Sequence, residues 1–254
     1  MKTELRQKKL LGDQDPEPVT FVNASSSSPL FLVCEHAGSA IPHDLGDLGL
    51  TGTAMEPHRY TDIGAEPLAR AIAEHLKAPL VLQRYSRLVI DCNRPPQSSE
   101  AVPAQQDGIV IPGNLGLPDD TRITEIFTPF DTAIEQGLTR SPRKLAISVH
   151  SFTPRLVGGP QRPWHCGFLS RRDTTTAQRL MQAVADQDAA LVLAVNEPYQ
   201  IDDETDWFIP AHAEPMGLAH TLIEVRNDLL ATPSDVAHWA GILSRAILKL
   251  PELQ

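Results

Sequence analysis

Short apolar runs that alternate with helix-like segments dominate the sequence from residue 30 onward. The runs lack strict apolar–polar alternation, so they predict strands buried on both faces. Because helical patterns separate most of them, we expect a three-layer α/β sandwich with a mostly parallel, mixed sheet. The predicted strands are 30–34, 79–83, 87–92, 145–149, 166–169, 190–195 and 219–225, and the predicted helices are about 64–76, 120–138, 173–188 and 233–249.

The first 28 residues are polar, and we expect them to form a flexible leader ahead of a single domain over 29–254. They lack the apolar core of a signal peptide, and no stretch approaches the ~20 apolar residues of a membrane span. A formal charge of −10 argues against nucleic acid and anionic membranes as partners. Three scattered cysteines without a CxxC pair favour a reduced compartment. We expect a cytoplasmic protein with a small-molecule partner and leave its oligomeric state open.

Polar residues follow the predicted strands at the sheet edge where ligands collect in open α/β sheets. Two histidines and a carboxylate are the protein ligands of a catalytic zinc site that keeps one position open. We therefore predict that His36 and His150 bind zinc or another divalent metal. The residues at these strand ends are Glu35 and His36, Asn93 and Arg94, His150, Asn196 and Glu197, and Glu224 with Arg226.

The third metal ligand is open between two carboxylates. Glu35 is adjacent to His36, but neighbouring strand residues point to opposite faces unless the strand has ended. Asp62 precedes a predicted helix, in whose first turn Pro67 fits well. That position puts Asp62 at the same sheet edge as the strand ends. We favour Asp62, with Glu35 as the alternative ligand.

Other residues of the set suit amide hydrolysis. Glu224 can take a proton from water and pass it to the leaving nitrogen. Asn93 and Arg94 can bind a substrate carboxylate, because a guanidinium donates two parallel hydrogen bonds. Arg87 is a candidate for stabilising the oxyanion, although six extended residues would put it roughly 20 Å from Asn93 unless its strand is shorter or bent. Further candidates for the substrate pocket are His165, Tyr199 and Arg226.

With these residues identified, the chain resembles the N-formylglutamate amidohydrolase family over residues 30–230. The resemblance implies an α/β hydrolase fold like that of zinc carboxypeptidases and N-acyl amino acid deacylases. The motifs that carry it are CEHAGSAIP (34–42), DIG (62–64), YSRLVIDCNRP (85–95), VHSFTP (149–154), RPWHCGFLS (162–170), NEPYQ (196–200) and IEVRNDL (223–229).

The deacylases and carboxypeptidases share an order of parts: a histidine ligand, an arginine, an Asn-Arg pair, a second histidine ligand and a late glutamate. This chain departs from one metallohydrolase pattern at Ser39, where that pattern has a carboxylate ligand. The corresponding residues here are His36, Arg87, Asn93 with Arg94, His150 and Glu224.

The resemblance implies a metal-dependent amidohydrolase that cleaves the N-acyl amide of a small carboxylate-bearing substrate, with N-formylglutamate as the named candidate. Two alternatives stay open. The chain could hydrolyse another N-acyl amino acid or a peptide-like amide, or it could have lost catalysis and bind a small acidic ligand.

Overall fold

The computed structural model describes residues 9–52, 56–116, 120–156 and 158–254. The strands within these ranges are β1 (Val19–Val22), β2 (Leu30–Cys34), β3 (Leu80–Gln83), β4 (Gln105–Gln106), β5 (Ile109–Val110), β6 (Leu145–Phe152), β7 (Cys166–Leu169), β8 (Leu193–Val195) and β9 (Ala219–Arg226). The α-helices are α1 (Pro57–Tyr60), α2 (Ala65–Leu76), α3 (Asp120–Arg122), α4 (Thr128–Thr139), α5 (Thr174–Ala185) and α6 (Pro233–Ile247). Two π-helical segments are Ile123–Phe127 and Ile209–Ala213.

Seven strands form one mixed sheet in the order β1-β3-β2-β6-β9-β7-β8. The four strands β3, β2, β6 and β9 run parallel to one another, whereas β1 is antiparallel to β3 and β7 is antiparallel to β9. Strand β8 pairs parallel with β7. Strands β4 and β5 form a separate two-stranded ribbon. The mostly parallel α/β sheet expected from the sequence is confirmed.

Side chains of β2 show that the sheet is covered on both faces. Leu30 and Leu32 pack in one apolar core with α2, α5 and α6, while Phe31 and Val33 pack in a second core with α4. In α4, a Cβ on Gly137 would lie 2.3 Å from the ring of Phe31, so only glycine permits this close approach. The alternation explains why the strand reads as a continuous apolar run.

The predicted strand at 87–92 is wrong, because this segment is a series of turns. The Ser86 carbonyl accepts hydrogen bonds from the amides of Val89 and Ile90, which is incompatible with an extended chain. Its apolar side chains are nevertheless buried in the core on the α4 side. A segment of buried turns thus has the apolar composition of a buried strand. Because the segment is not extended, the distance of roughly 20 Å expected between Arg87 and Asn93 for an extended chain does not apply.

The flexible leader predicted for residues 1–28 is corrected over 9–28, while residues 1–8 lie outside the described residues. Strand β1 pairs with β3 and extends the sheet at its edge. The amides of Leu10 and Leu11 donate to the carboxylate of Glu125, and the Tyr85 hydroxyl donates to the carbonyl of Pro16. A half-buried edge strand gives a weak apolar signal, so the polar composition concealed it.

Two predicted boundaries also shift. The segment 190–195 pairs only over Leu193–Val195, and the helix predicted at 120–138 includes the π-helical turn Ile123–Phe127. No helix among the described residues has the length and apolar character required to cross a lipid bilayer.

Candidate metal centre and active site

A cavity of about 370 Å³ opens near the carboxyl ends of β2, β6 and β9. Most polar residues predicted from the strand ends line it, together with loop residues from between the elements. The lining residues that bear on chemistry are His36, Asp62, Arg87, Asn93, Arg94, Asp107, His150, Tyr199, Asp202, Asp206 and Glu224.

His36, Asp62 and His150 converge on one point of the cavity floor, where their candidate ligand atoms all lie within 4.8 Å of one another. Asp62 Oδ2 is 3.4 Å from His36 Nδ1 and 2.8 Å from His150 Nδ1. The two imidazole rings meet edge to face, with centroids 4.7 Å apart. The two Nδ1 atoms therefore face the same carboxylate oxygen.

Backbone hydrogen bonds explain how Asp62 reaches the histidines from a different loop. The Asp62 amide donates to the carbonyl of His36 (3.1 Å), and Thr61 Oγ1 donates to the same carbonyl (2.7 Å). Gly64 then adopts a left-handed conformation with φ of +83°, which turns the chain into α2. These contacts hold the segment before α2 against the end of β2, so the carboxylate of Asp62 lies beside both histidines, whereas position 39 is a serine.

The three residues fit a divalent metal. His36 Nδ1 is buried and has no hydrogen-bond partner, an expensive arrangement for a polar atom unless a ligand occupies that direction. Burial raises the pKa of Asp62, but His36 and His150 outweigh it and hold the pKa well below its ordinary value. Two imidazole nitrogens and an ionised carboxylate oxygen form the donor set of a catalytic zinc site with an open position.

Two further carboxylates hold the outer nitrogens of the histidine rings. Asp91 Oδ1 lies 2.7 Å from His36 Nε2, and Glu35 Oε2 lies 3.0 Å from His150 Nε2. Carboxylates in this position keep the proton on Nε2 and leave the Nδ1 lone pair free for a metal. Glu35, the alternative ligand, is therefore placed behind His150, where Ser148 Oγ also donates to it (2.7 Å).

Arg87 lies beside this cluster. Its Nη2 donates to Asp91 Oδ2 at 2.7 Å, and its Nη1 is 3.5 Å from Asp62 Oδ1. Burial raises the pKa of Asp91, but Arg87 and then His36 overcome it and lower the pKa well below its usual range. The guanidinium thus reaches the site because residues 87–91 form turns, and it helps keep both carboxylates ionised.

Glu224 lies in register with His150 on the neighbouring strand, so its side chain projects into the same cavity. Only 6% of the residue is exposed, and its Oε2 has no hydrogen-bond partner. Burial raises the pKa of Glu224 to about 8, with the nearby His150 opposing the rise. A carboxyl group that gains and loses its proton near neutral pH is suited to proton transfer.

Arg94 and Asn93 have different surroundings. Arg94 lines the cavity, and its Nε is 3.8 Å from Asp91 Oδ2, beyond hydrogen-bond distance. The side chain of Asn93 is engaged within the protein, because its Nδ2 donates to Asp206 (2.9 Å) and its Oδ1 accepts from the Trp207 amide (3.2 Å). Asn93 also lines the cavity, so its contact with substrate stays a prediction beside this positioning contact.

Two predicted pocket residues are used elsewhere. His165 is not among the described lining residues, and its Nδ1 accepts a hydrogen bond from the Val192 amide (2.9 Å). Arg226 also lies away from the cavity, where it pairs with Asp228 (2.7 Å) and donates to the carbonyls of residues 162–164. Both stabilise the segment before β7, and their expected roles in substrate binding stay predictions without a described contact to the cavity.

Tyr199 lines the cavity as expected. Its hydroxyl accepts a hydrogen bond from Arg162 Nη1 (3.0 Å), and the guanidinium lies 5.0 Å from the ring centroid. Desolvation raises the pKa of Tyr199, and the negative charge of Glu224 raises it further. Tyr199 therefore remains a neutral hydroxyl at the rim of the cavity.

Asp206 is a cavity residue that the sequence did not reveal. It is 6% exposed and belongs to the acidic segment DDETD (202–206), which resembles a solvated loop. Burial raises its pKa to about 7. The one available signal was Asp206 immediately before an aromatic pair, Trp207 and Phe208.

Comparisons with known proteins identify the family and the fold. The family model described as N-formylglutamate amidohydrolase matches residues 28–231. Gene product Atu2144 from Agrobacterium tumefaciens has a TM-score of 0.88 and 35% identity, covering 95% of this chain and 97% of that chain. The N-formylglutamate amidohydrolase from Ralstonia eutropha JMP134 has a TM-score of 0.63 and 18% identity, covering 92% and 97%, and shows similarity of fold. The comparison with curated proteins found no match.

Proposed function

The chain belongs to the N-formylglutamate amidohydrolase family and is thus a hydrolase of amide bonds, and we propose that it uses a divalent metal to cleave the N-acyl amide of a small carboxylate-bearing substrate. The observation that carries the proposal is the convergence of His36, Asp62 and His150 beneath a cavity that also contains Glu224 and Arg94. N-formylglutamate is the candidate substrate suggested by the family.

His36 and His150 would hold the metal through Nδ1, and Asp62 would hold it through a carboxylate oxygen. Zinc is the preferred ion for two imidazoles and one carboxylate, although other first-row ions suit the same donors. When bound, the ion would polarise the amide carbonyl and lower the pKa of an attacking water. Asp91 and Glu35 would fix the orientation of the two rings through their Nε2 atoms.

Glu224 is the proton carrier in this proposal. Its unpartnered Oε2 would accept a proton from water during attack on the amide carbonyl. The same oxygen would then deliver that proton to the nitrogen of the leaving amine. Burial between β6 and β7 keeps this carboxyl away from bulk water, so the proton stays within the site.

Arg94 would bind the substrate carboxylate, because it lines the cavity and its ion pair with Asp91, at 3.8 Å, is beyond hydrogen-bond distance. Arg87 remains a candidate for stabilising the oxyanion at its exposed edge, while it also neutralises Asp62 and Asp91. Tyr199 would donate a hydrogen bond to the substrate from the cavity rim.

Metal removal and a histidine substitution test the proposal. Zinc-loaded protein should release formate from N-formyl-L-glutamate, and chelator-treated protein should not. His36→Ala should lose both stoichiometric zinc and hydrolysis, whereas His238→Ala, which alters an exposed histidine on α6, should keep both. Full hydrolysis by protein shown to be metal-free contradicts the proposal.

A second candidate substrate class is another N-acyl amino acid. The charges that line the cavity favour it. N-formylglutamate carries two carboxylates, but of the two arginines among the described lining residues only Arg94 has no hydrogen bond to a carboxylate of the protein.

A further inference from the structure

The carboxylates that line the cavity outside the metal cluster have unequal surroundings. Asp107 is paired with Arg59 at 2.9 Å. Asp202 is exposed and accepts the backbone amides of Glu204 and Thr205. Asp206 alone among these three is buried, and no ion pair of Asp206 is found within the described residues. Apart from Glu224, it is therefore the buried carboxylate of the cavity wall that a substrate can contact.

The Asp206 carboxyl is fixed from one side by Asn93. Asn93 Nδ2 donates to Asp206 Oδ1 at 2.9 Å, and Asn93 Oδ1 accepts the following amide, that of Trp207. This reciprocal contact ties the loop that carries Arg94 to the segment that carries Asp206. The guanidinium and the carboxyl consequently belong to one rigid wall of the cavity.

Trp207 fixes the same segment from the other side. Its Nε1 donates to Asp131 Oδ1 on α4 (2.7 Å), and His212 Nε2 lies 2.7 Å from that oxygen. The indole also packs edge to face on Phe127, with centroids 5.6 Å apart. Asp206 cannot easily rotate away from the cavity, because the residue after it is held by these contacts.

One oxygen of Asp206 retains capacity for a ligand. Within the part of the chain that the structure describes, Oδ2 accepts one hydrogen bond, a long one of 3.4 Å from Thr205 Oγ1. A carboxylate oxygen can accept two hydrogen bonds, so a substrate N–H or O–H donor could bind there. At a pH above about 7, where Asp206 is ionised, a second carboxylate would instead meet the like charge of Asp206 in a desolvated site.

We propose that Asp206 contacts the substrate and selects a hydrogen-bond donor over a second carboxylate, beside the carboxylate bound by Arg94. The inference rests on the proposed function and names its substrate class: N-acyl amino acids with one carboxylate and a donor-bearing, uncharged side chain. A side-chain amide satisfies Oδ2, whereas the side-chain carboxylate of an acyl-glutamate leaves Oδ2 unpaired and adds repulsion.

N-formyl-L-glutamine and N-formyl-L-glutamate are the probes, since they differ only in the terminal amide. Their kcat/KM values are measured with the zinc-loaded full chain at about pH 8.5, where Asp206 is ionised. We expect wild type to prefer the glutamine compound at least ~10-fold. A site that accepts a hydrogen bond from a donor on the substrate discriminates strongly against an analogue without that donor. Asp206→Asn should reduce that preference at least ~10-fold, with zinc content unchanged.

Asp203→Asn is the matched control, since it makes the same change at an exposed carboxylate of the same acidic segment that is not among the described lining residues, and it should leave the preference intact. A folded, zinc-containing Asp206→Asn protein that keeps the wild-type preference overturns the inference. A wild-type preference for the glutamate compound overturns it even if Asp206→Asn fails to fold. Hydrolysis of neither compound by zinc-loaded wild type refutes the proposed function, and this inference with it.

Discussion

Replacing Glu224 by glutamine should abolish most turnover and leave the metal site intact. The substitution keeps the volume of the side chain and removes its capacity to carry a proton. Because Oε2 has no partner, no hydrogen bond of that oxygen is lost within the described residues. Loss of proton transfer should lower kcat by about 100- to 10,000-fold. That range corresponds to roughly 3–5 kcal/mol in the activation barrier.

The same substitution should stabilise the metal-free fold at alkaline pH. The pKa of Glu224 is raised from its ordinary 4.5 to about 8 in the folded chain. The folded state therefore holds the proton of Glu224 more tightly than the unfolded state does. The protonated carboxyl contributes its full stabilisation of the fold below pH ~4.5, and this contribution is lost as the pH rises to ~8. At ~1.4 kcal/mol per pH unit, wild type should lose about 4 kcal/mol from this group between pH ~5 and ~8. Glutamine does not titrate, so the variant should lack that loss.

Two assays separate the catalytic effect from the structural one. Steady-state kinetics of the zinc-loaded protein give kcat, and metal analysis verifies that zinc remains bound. Urea unfolding of chelator-treated wild type and variant at both pH values gives the change in the free energy of unfolding. Near-normal kcat in the variant would refute the assignment of Glu224 as the proton carrier. Identical pH dependence of unfolding in the two proteins would refute the raised pKa.

Three other substitutions test separate contacts. Asp91→Asn should weaken zinc binding about 10- to 100-fold, because it weakens the hydrogen-bond acceptor at His36 Nε2. A competition titration against a chromophoric chelator measures the zinc affinity, and an unchanged affinity contradicts the prediction. Arg94→Ala should raise KM about 10- to 100-fold through loss of a charged hydrogen bond worth ~1.5–3 kcal/mol, and unaltered KM removes Arg94 from the substrate site. Arg226→Ala should lower the free energy of unfolding by about 1–3 kcal/mol and leave KM unchanged. A raised KM in a variant as stable as wild type would instead indicate that Arg226 binds substrate.

The sequence predicted the sheet and the strand-end residues well because parallel strands impose a simple rule. Buried strands read as apolar runs, and the polar residues that follow them meet at one edge. His36 follows this rule, and His150 and Glu224 lie in register near the ends of β6 and β9. The chain from 87 to 92 breaks it, since its buried turns have the composition of a strand.

The remaining site residues depend on contacts between distant loops, which no local pattern encodes. Asp206 is drawn into the cavity by Asn93, 113 positions earlier in the chain. Glu35 and Asp62 are both acidic and near a histidine, and only the positions of the ring nitrogens distinguish their roles. Arg226 looked like a strand-end ligand, but it turns toward backbone carbonyls of the neighbouring segment.

The most direct test of the shared metal centre is a crystal of the zinc-loaded protein with diffraction recorded on both sides of the zinc absorption edge. We expect one strong anomalous peak per chain, from an ion bound by Nδ1 of His36, Nδ1 of His150 and a carboxylate oxygen of Asp62. A zinc peak held by other residues, or a fully active crystal form with no peak at this position, would contradict it.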